Sequence, residues 1–207
     1  IAKMLEQLIP FLTASILLTF SPGPDIIYVL VRSIAYGAKQ GIATALGLVS
    51  GIIIHTSLVA FGVSAIIRQS ETTFLIIKIL GALYLLYLAY QVYRSNPEIA
   101  FSSERIKNKS LWSLFRQGFI MNVLNPKVGI FFLAFFPGFL WEPDGDTVWQ
   151  FYVLGFVFML QALVIFCLVA FAANRISGWV RSHPSYGIFL KWLQVVIFIL
   201  IAILILI

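Results

Sequence analysis

Two proline-containing breaks interrupt the long apolar runs of this chain at matching places in its two halves. The first break is residues 21–25 (SPGPD) and the second is residues 125–127 (NPK). Proline frees backbone groups that hydrocarbon cannot satisfy, so a break within a membrane helix must face protein or a water-filled cavity. Each break also carries a charge, Asp25 or Lys127, and intramembrane charges are usually functional. The pair of breaks therefore restricts the fold more than any other feature.

The composition shows that the runs around the breaks are membrane spans. The chain is 61% hydrophobic and 11% charged, with a mean hydropathy of +1.00, whereas a soluble domain has about 45–50% apolar and about 25% charged residues. We expect an all-α integral membrane protein of one domain, residues 1–207, with no room for a soluble catalytic domain and hence no enzyme activity. Six spans are predicted at roughly 8–34, 42–67, 73–93, 113–139, 147–173 and 188–207.

The charges near the span ends predict the orientation. Ten cationic residues flank the first, third and fifth connections: Arg32, Lys39, Arg94, Arg105, Lys107, Lys109, Arg116, Arg175, Arg181 and Lys191. The other side has Lys3, Arg68 and Lys78 together with Glu142, Asp144 and Asp146. The positive-inside rule then places the central loop, residues 95–112, in the cytoplasm and both termini outside. We interpret these charges as solvated and topology-setting, so the net charge of +6 indicates no nucleic-acid partner.

The positions of the breaks predict an inverted repeat. Residues 1–94 hold three spans and residues 113–207 hold three more, so the second half enters the membrane from the opposite side. Pro24 and Pro126 each lie in the first span of their half, about 9–10 residues from the predicted cytoplasmic end. At 1.5 Å per residue both lie ~13–15 Å deep, near the middle of a ~30 Å core. Paired broken spans of this kind indicate a transporter's substrate site.

The residue types in the breaks suit a small charged ligand. Pro24 and Pro126 can each begin a half-helix, because proline is favoured at the first helical position. The free N–H groups of such ends attract carboxylates. Gly23 allows a ligand or another backbone to approach closely, and Asn125 is a natural N-cap for the helix beginning at Pro126. Asn122, one turn earlier, is a further candidate for ligand contact.

The two charges leave alternatives open. Asp25 in a first turn stabilises the helix end by itself, but Lys127 opposes the helix dipole and needs a partner. That partner is either Asp25, in a buried ion pair, or the carboxylate of a bound substrate. Asp25 is also a candidate proton relay, as is His55, because histidine is the residue type whose charge ordinarily changes near neutral pH. His55 could equally be a hydrogen-bonded packing residue, and Gly47 and Gly51 form a GxxxG step that favours close helix packing.

The breaks and their surroundings resemble the two signatures of the LysE/RhtB family of amino-acid exporters. The first signature is similar to residues 21–25 with Gly37, Gly41, Gly47 and Gly51 after them, and residues 81–88 (GALYLLYL) fit the same pattern. The second is similar to Gly118, Phe119, Asn122, residues 125–127, Phe131, Phe132 and residues 135–139. The closer likeness is to the threonine, homoserine and leucine exporter branch.

The resemblance implies a six-span protein of the bacterial cytoplasmic membrane that exports amino acids or close derivatives by proton antiport. Its expected partners are a small zwitterionic substrate, protons and lipids; a homo-oligomer is left open, and no cofactor is expected. We expect the substrate to contact Asp25, Lys127, Asn125, Asn122, Gly23, Pro24 and Pro126. An uncoupled channel or a non-transporting membrane partner is the alternative. The single cysteine, Cys167, disfavours a thiol-redox relative, and two histidines, His55 and His183, disfavour a metal exporter with a metal-binding loop.

Overall fold

The computed structural model describes residues 2–63, 71–95, 107–182 and 185–206, and these ranges are helical with no strand. The α-helices of this described part are α1 (Ala2–Phe20), α2 (Pro24–Tyr36), α3 (Ala38–Leu58), α4 (Glu71–Arg94), α5 (Leu111–Val123), α6 (Pro126–Ile130), α7 (Thr147–Ser182) and α8 (Ser185–Leu206). A π-helical turn, Val59–Val63, extends α3. Another, Phe131–Phe135, and a 3-10 turn, Phe136–Phe139, extend α6.

The helices confirm an all-α membrane protein. Five of them are long and apolar enough to cross a membrane, and the number rises to six when the bent pair 111–123 and 126–139 counts as one span. Large apolar side chains lie exposed on the outer faces, among them Leu80, Phe156 and Phe171, which suits contact with lipid.

Of the predicted spans, one corresponds to two helices, one to part of a longer helix, and one extends beyond the described residues. The predicted span 8–34 corresponds to two helices, because α1 already ends at Phe20 and α2 begins at Pro24. The predicted span 147–173 agrees with the membrane-crossing part of α7, Thr147–Ala173. The helix itself continues to Ser182, since no proline follows until Pro184 and a helix may leave the hydrocarbon without ending. Residues 64–67 of the second predicted span lie outside the described residues.

Chain breaks separate α1 from α2 and α5 from α6. At the first, Gly23 is extended and Pro24 takes the first helical position of α2. At the second, Asn125 is extended, Pro126 takes the first helical position of α6, and the axis bends by 47°. Proline accounts for both places, because it cannot donate the hydrogen bond that would continue the preceding helix.

Small residues bring α3 against α5 in the centre of the bundle, and α3 also packs on α2 and α7. A Cβ at Gly47 would meet the backbone of Phe115 and Phe119, and a Cβ at Gly118 would meet the backbone of Thr44 and Leu48. The close packing predicted for the glycine step is therefore confirmed. This contact fixes Asn122, near the end of α5, beside the first break.

We expect Gly47→Ala to destabilise the fold. The added methyl group would press on backbone atoms 2.8–2.9 Å away, including the Phe115 carbonyl carbon and the Phe119 nitrogen, and backbone cannot rotate aside as a side chain can. Overpacking of this kind costs about 1–3 kcal/mol. Thermal unfolding in detergent measures the effect. Gly62→Ala is the matched control, because nothing lies within 4 Å of a Cβ there; an equal loss in both variants would contradict the close-packing argument.

Candidate functional site

The two breaks meet at one buried cavity in the centre of the bundle. Five of the predicted site residues line it: Gly23, Asp25, Asn122, Asn125 and Lys127. Its remaining wall is largely apolar and comes from α1, α2, α3, α6 and α7. The cavity has a volume of about 30 Å³, which is room for one or two water molecules. An amino acid does not fit into this conformation.

Asp25 is buried in the first turn of α2, with 8% of its surface exposed. Its Oδ2 accepts a hydrogen bond of 3.2 Å from Asn122 Nδ2, whereas its Oδ1 accepts none from any described residue. Asn122 Oδ1 and Ser21 Oγ, on the same cavity, also lack partners. Two of these three atoms can only accept hydrogen bonds. The cavity is therefore short of donors, and an ammonium group, which offers three, would supply them.

Lys127 contacts the end of α1. Its Nζ donates two hydrogen bonds of 3.0 Å, one to the Leu18 carbonyl and one to the Ser21 carbonyl. In a continuous helix Leu18 would accept from residue 22, but that residue is Pro22 and has no N–H. The ammonium replaces the missing donor. The partner predicted for Lys127 was Asp25 or a substrate; here the partners are two backbone carbonyls, an arrangement that the residue pattern did not anticipate.

At the second break, His55 bonds to the carbonyl that proline leaves without its helical donor. Pro126 cannot donate to the carbonyl of Asn122, which accepts from the Asn125 N–H instead, and His55 Nε2 lies 3.0 Å from the same oxygen. Because a carbonyl only accepts, Nε2 carries the proton in this contact. His55 comes from the first half of the chain and Lys127 from the second. Each half therefore stabilises the break in the other half.

The remaining predicted residues have local roles. The Asn125 side chain accepts from the Lys127 N–H at 3.1 Å, which confirms it as the N-cap of α6. Pro24 and Pro126 lie at helix starts and are exposed. Pro126 lines a second, mostly apolar groove with His55 and Tyr84. A Cβ at Gly23 would lie 3.5 Å from Lys127 Nζ, an ordinary contact, so packing does not require glycine there.

Sequence reasoning misplaced one charge. Arg32 was grouped with the solvated, topology-setting cations, but its side chain is only 1% exposed. It lies seven residues after Asp25 on the buried face of α2, and that spacing was the available signal, because positions i and i+7 share a helix face. Ser21 was likewise overlooked, since it was treated only as part of the break. Within the described residues, no group of three metal-binding side chains occurs.

Comparisons with known proteins found one matching family and several similar proteins. The chain matches the family model described as LysE type translocator over residues 16–207. It is 32% identical over 172 residues to the homoserine/homoserine lactone efflux protein of Salmonella typhimurium, covering 83% of this chain and 82% of that one. It is 30% identical over 173 residues, 83% of each chain, to an uncharacterized membrane protein of Vibrio cholerae. No solved structure matches the chain.

Proposed function

Because this chain belongs to the LysE type translocator family, we propose that it is a secondary transporter that exports amino acids or close derivatives, driven by the proton gradient. The similarity to an efflux protein named for homoserine and its lactone supports a small amine substrate. The observation that carries the proposal is the central cavity, where an unpartnered carboxylate oxygen faces space enclosed by both breaks.

The proposed architecture is a pair of inverted three-helix repeats in the cytoplasmic membrane. The first repeat has α1 and α2 as one broken span, and the second has α5 and α6 as the other. The central loop lies in the cytoplasm and both termini lie outside. Two observations support this pairing: both breaks line one cavity, and each is stabilised by a side chain from the opposite half. In transporters of this kind the repeat interface holds the substrate.

The proposed substrate contacts follow from the free groups. The ammonium of the substrate binds Asp25 Oδ1, with Asn122 Oδ1 and Ser21 Oγ as further acceptors. The carboxylate or carbonyl end lies towards Lys127 and the N-terminal N–H groups of the half-helices, where donors are concentrated. Asp25 and His55 are the proposed proton carriers. Because the cavity holds only about 30 Å³, the conformation described is one in which the site is closed, and binding requires the repeats to move apart.

Transport by purified protein in proteoliposomes tests the proposal. The panel comprises radiolabelled homoserine, homoserine lactone, threonine, leucine and lysine, each with and without an imposed proton gradient. We expect saturable flux of at least one of them that rises several-fold with the gradient. Labelling of a cysteine introduced at Ser103, on a Cys167→Ser background, identifies the vesicles whose central loop faces outward and so fixes the direction of flux.

Two other results would contradict the proposal. Flux that neither saturates nor responds to the gradient would indicate an uncoupled channel. No flux of any amino acid, from protein that remains folded by its melting curve, would indicate a membrane protein with another role. Protein-free vesicles of the same lipid serve as the blank.

A further inference from the structure

Arg32 is a deeply buried cation that plays no part in the proposed transport site. Its side chain is 1% exposed, yet the guanidinium makes one hydrogen bond, from Nη1 to the Lys107 carbonyl at 3.0 Å. The Nε and Nη2 atoms are buried and have no hydrogen-bond partner among the described residues. These two nitrogens form one edge of the guanidinium, and that edge is the fork that binds a carboxylate through two parallel hydrogen bonds.

Aromatic rings lie beside the guanidinium of Arg32, but among the described residues none accepts a hydrogen bond from its free edge. The rings of Tyr28 and Tyr36 lie 5.8 and 5.6 Å from the guanidinium carbon. Tyr28 in turn donates to Gln117 Oε1 at 2.8 Å, an oxygen that also accepts from Lys109 Nζ. Within the described residues no carboxylate contacts Arg32. A buried charge with two unmade hydrogen bonds is costly, so an anion that arrives there would be bound strongly.

The position of Arg32 relates it to the central cavity. Asp25 and Arg32 lie on the same buried face of α2, and seven residues of helix separate them by about 10.5 Å. The ammonium and carboxylate of an amino acid lie much closer together than this. The side-chain contacts agree with this separation: Asp25 contacts Asn122 near the end of α5, whereas Arg32 contacts the Lys107 carbonyl, which precedes the start of α5. The two residues therefore mark successive positions along the helix.

We propose that Arg32 is a separate binding position for the carboxylate of the outgoing amino acid, reached from the cytoplasm before the substrate reaches Asp25. This inference rests on the proposed export function and adds to it a first contact and its chemistry. A substrate with a free carboxylate uses the position through the guanidinium fork. A substrate whose carboxyl group is closed into an ester has one carbonyl oxygen and uses it poorly.

The pair homoserine and homoserine lactone tests the position, because the two differ at the carboxyl group. Arg32→Lys keeps the charge but removes the fork. Measured with substrate on the side of the central loop, the variant should raise the KM for homoserine about 10- to 100-fold and leave the KM for the lactone within about twofold. Arg116→Lys is the matched control, because Arg116 is an exposed residue of α5; it should change neither KM.

Several outcomes would overturn the inference. An equal change for homoserine and its lactone would make Arg32 a structural residue, and no change for either would leave it without a role in binding. Glu98 and Glu104 lie outside the described residues, so Glu98→Gln and Glu104→Gln are made as well; a variant that reproduces the Arg32→Lys profile would identify a carboxylate of the chain itself as the partner. Failure of the export proposal is distinguishable, because the wild-type protein would then transport neither compound.

Should Arg32→Lys not fold, the wild-type protein supplies a second measurement. With arginine labelled by ¹⁵N, the Nε–H resonance of Arg32 should shift on addition of homoserine and stay unchanged on addition of the lactone. An excess of short-chain phospholipid distinguishes a phosphate headgroup as the natural ligand: a shift with lipid and none with homoserine would refute the assignment to substrate.

Discussion

Asp25→Asn should abolish export and leave the protein folded. The substitution keeps the shape of the side chain, and the amide oxygen can still accept from Asn122 Nδ2, as Asp25 Oδ2 does at 3.2 Å. What disappears is the negative charge at Oδ1, the atom without a partner. Losing a buried, charge-assisted contact to an ammonium costs about 3 kcal/mol or more. Flux of every amine substrate should therefore fall about 100-fold or further.

Stability separates this expectation from a purely structural role. Removing a buried charge that lacks an ionic partner relieves its desolvation, so the melting temperature of Asp25→Asn should hold or rise. Asp146→Asn is the matched control: Asp146 is an exposed carboxylate at the start of α7, where its Oδ1 accepts from the Trp149 N–H. That variant should lose about 1 kcal/mol or less and transport normally. Wild-type flux in Asp25→Asn would rule out Asp25 as the ammonium site.

The sequence predicted the meeting of the breaks because the relevant information is local. Proline sets the ends of α1 and α5 and the starts of α2 and α6. The depth of each break then follows from counting residues, and two breaks at equal depth can meet. The N-cap at Asn125 is also a local interaction, so its residue type and spacing were sufficient to predict it.

The partners of the charged groups could not be predicted in this way. Lys127 bonds to carbonyls 106 and 109 residues away along the chain, and His55 to one 67 residues away. Those distances are set by helix packing, to which the glycine contacts between α3 and α5 contribute. Arg32 was assigned to the surface by its residue type, since cations near span ends are usually solvated. Its burial depends on how residues 107–109 pack over α2.

Lys127 and His55 each bond to a carbonyl in the opposite half of the chain, so a movement of the two halves would affect both breaks. The Leu18 carbonyl, freed by Pro22, and the Asn122 carbonyl, freed by Pro126, each have a partner across the interface that opens in the proposed transport cycle. Moving the halves apart would leave the Leu18 carbonyl unpaired, at about 1–3 kcal/mol, unless water or a ligand replaces the donor. The Asn122 carbonyl would lose His55 and keep only the Asn125 N–H. A substrate carboxylate that draws Lys127 away from Leu18 and Ser21 would also release the end of α1. Binding and opening are then linked through one ammonium group.

Lys127→Met should abolish export and lower stability together. Methionine keeps most of the apolar stem of the side chain, so little packing is lost, but it removes the ammonium, which lies 5.5 Å from the ring centroid of the buried Phe198. The ammonium is lost, and with it the donors to the Leu18 and Ser21 carbonyls. Two unpaired buried carbonyls cost about 2–6 kcal/mol in total. Lys127→Arg should not restore transport, because a planar fork replaces a compact charge.

Lys191→Met is the control for losing a lysine that bonds to backbone. Lys191 Nζ donates to the Ser95 carbonyl, just after the end of α4, and lies over the ring of Tyr93, but it has no contact with the breaks. We expect its melting temperature and flux to remain close to wild type. A comparable loss of transport in both variants would mean that any such contact is needed for folding, and that Lys127 has no particular role.

The double variant Asp25→Asn with Lys127→Met decides whether the two charges serve each other or the substrate. If they only neutralise one another, removing both should restore stability and export together, because neither leaves a charge stranded. If they bind substrate, the double variant should recover part of its melting temperature and still show no flux. Recovery should be incomplete, since the Leu18 and Ser21 carbonyls still lack their donor. A double variant that exports at the wild-type rate would refute the substrate site at the two breaks.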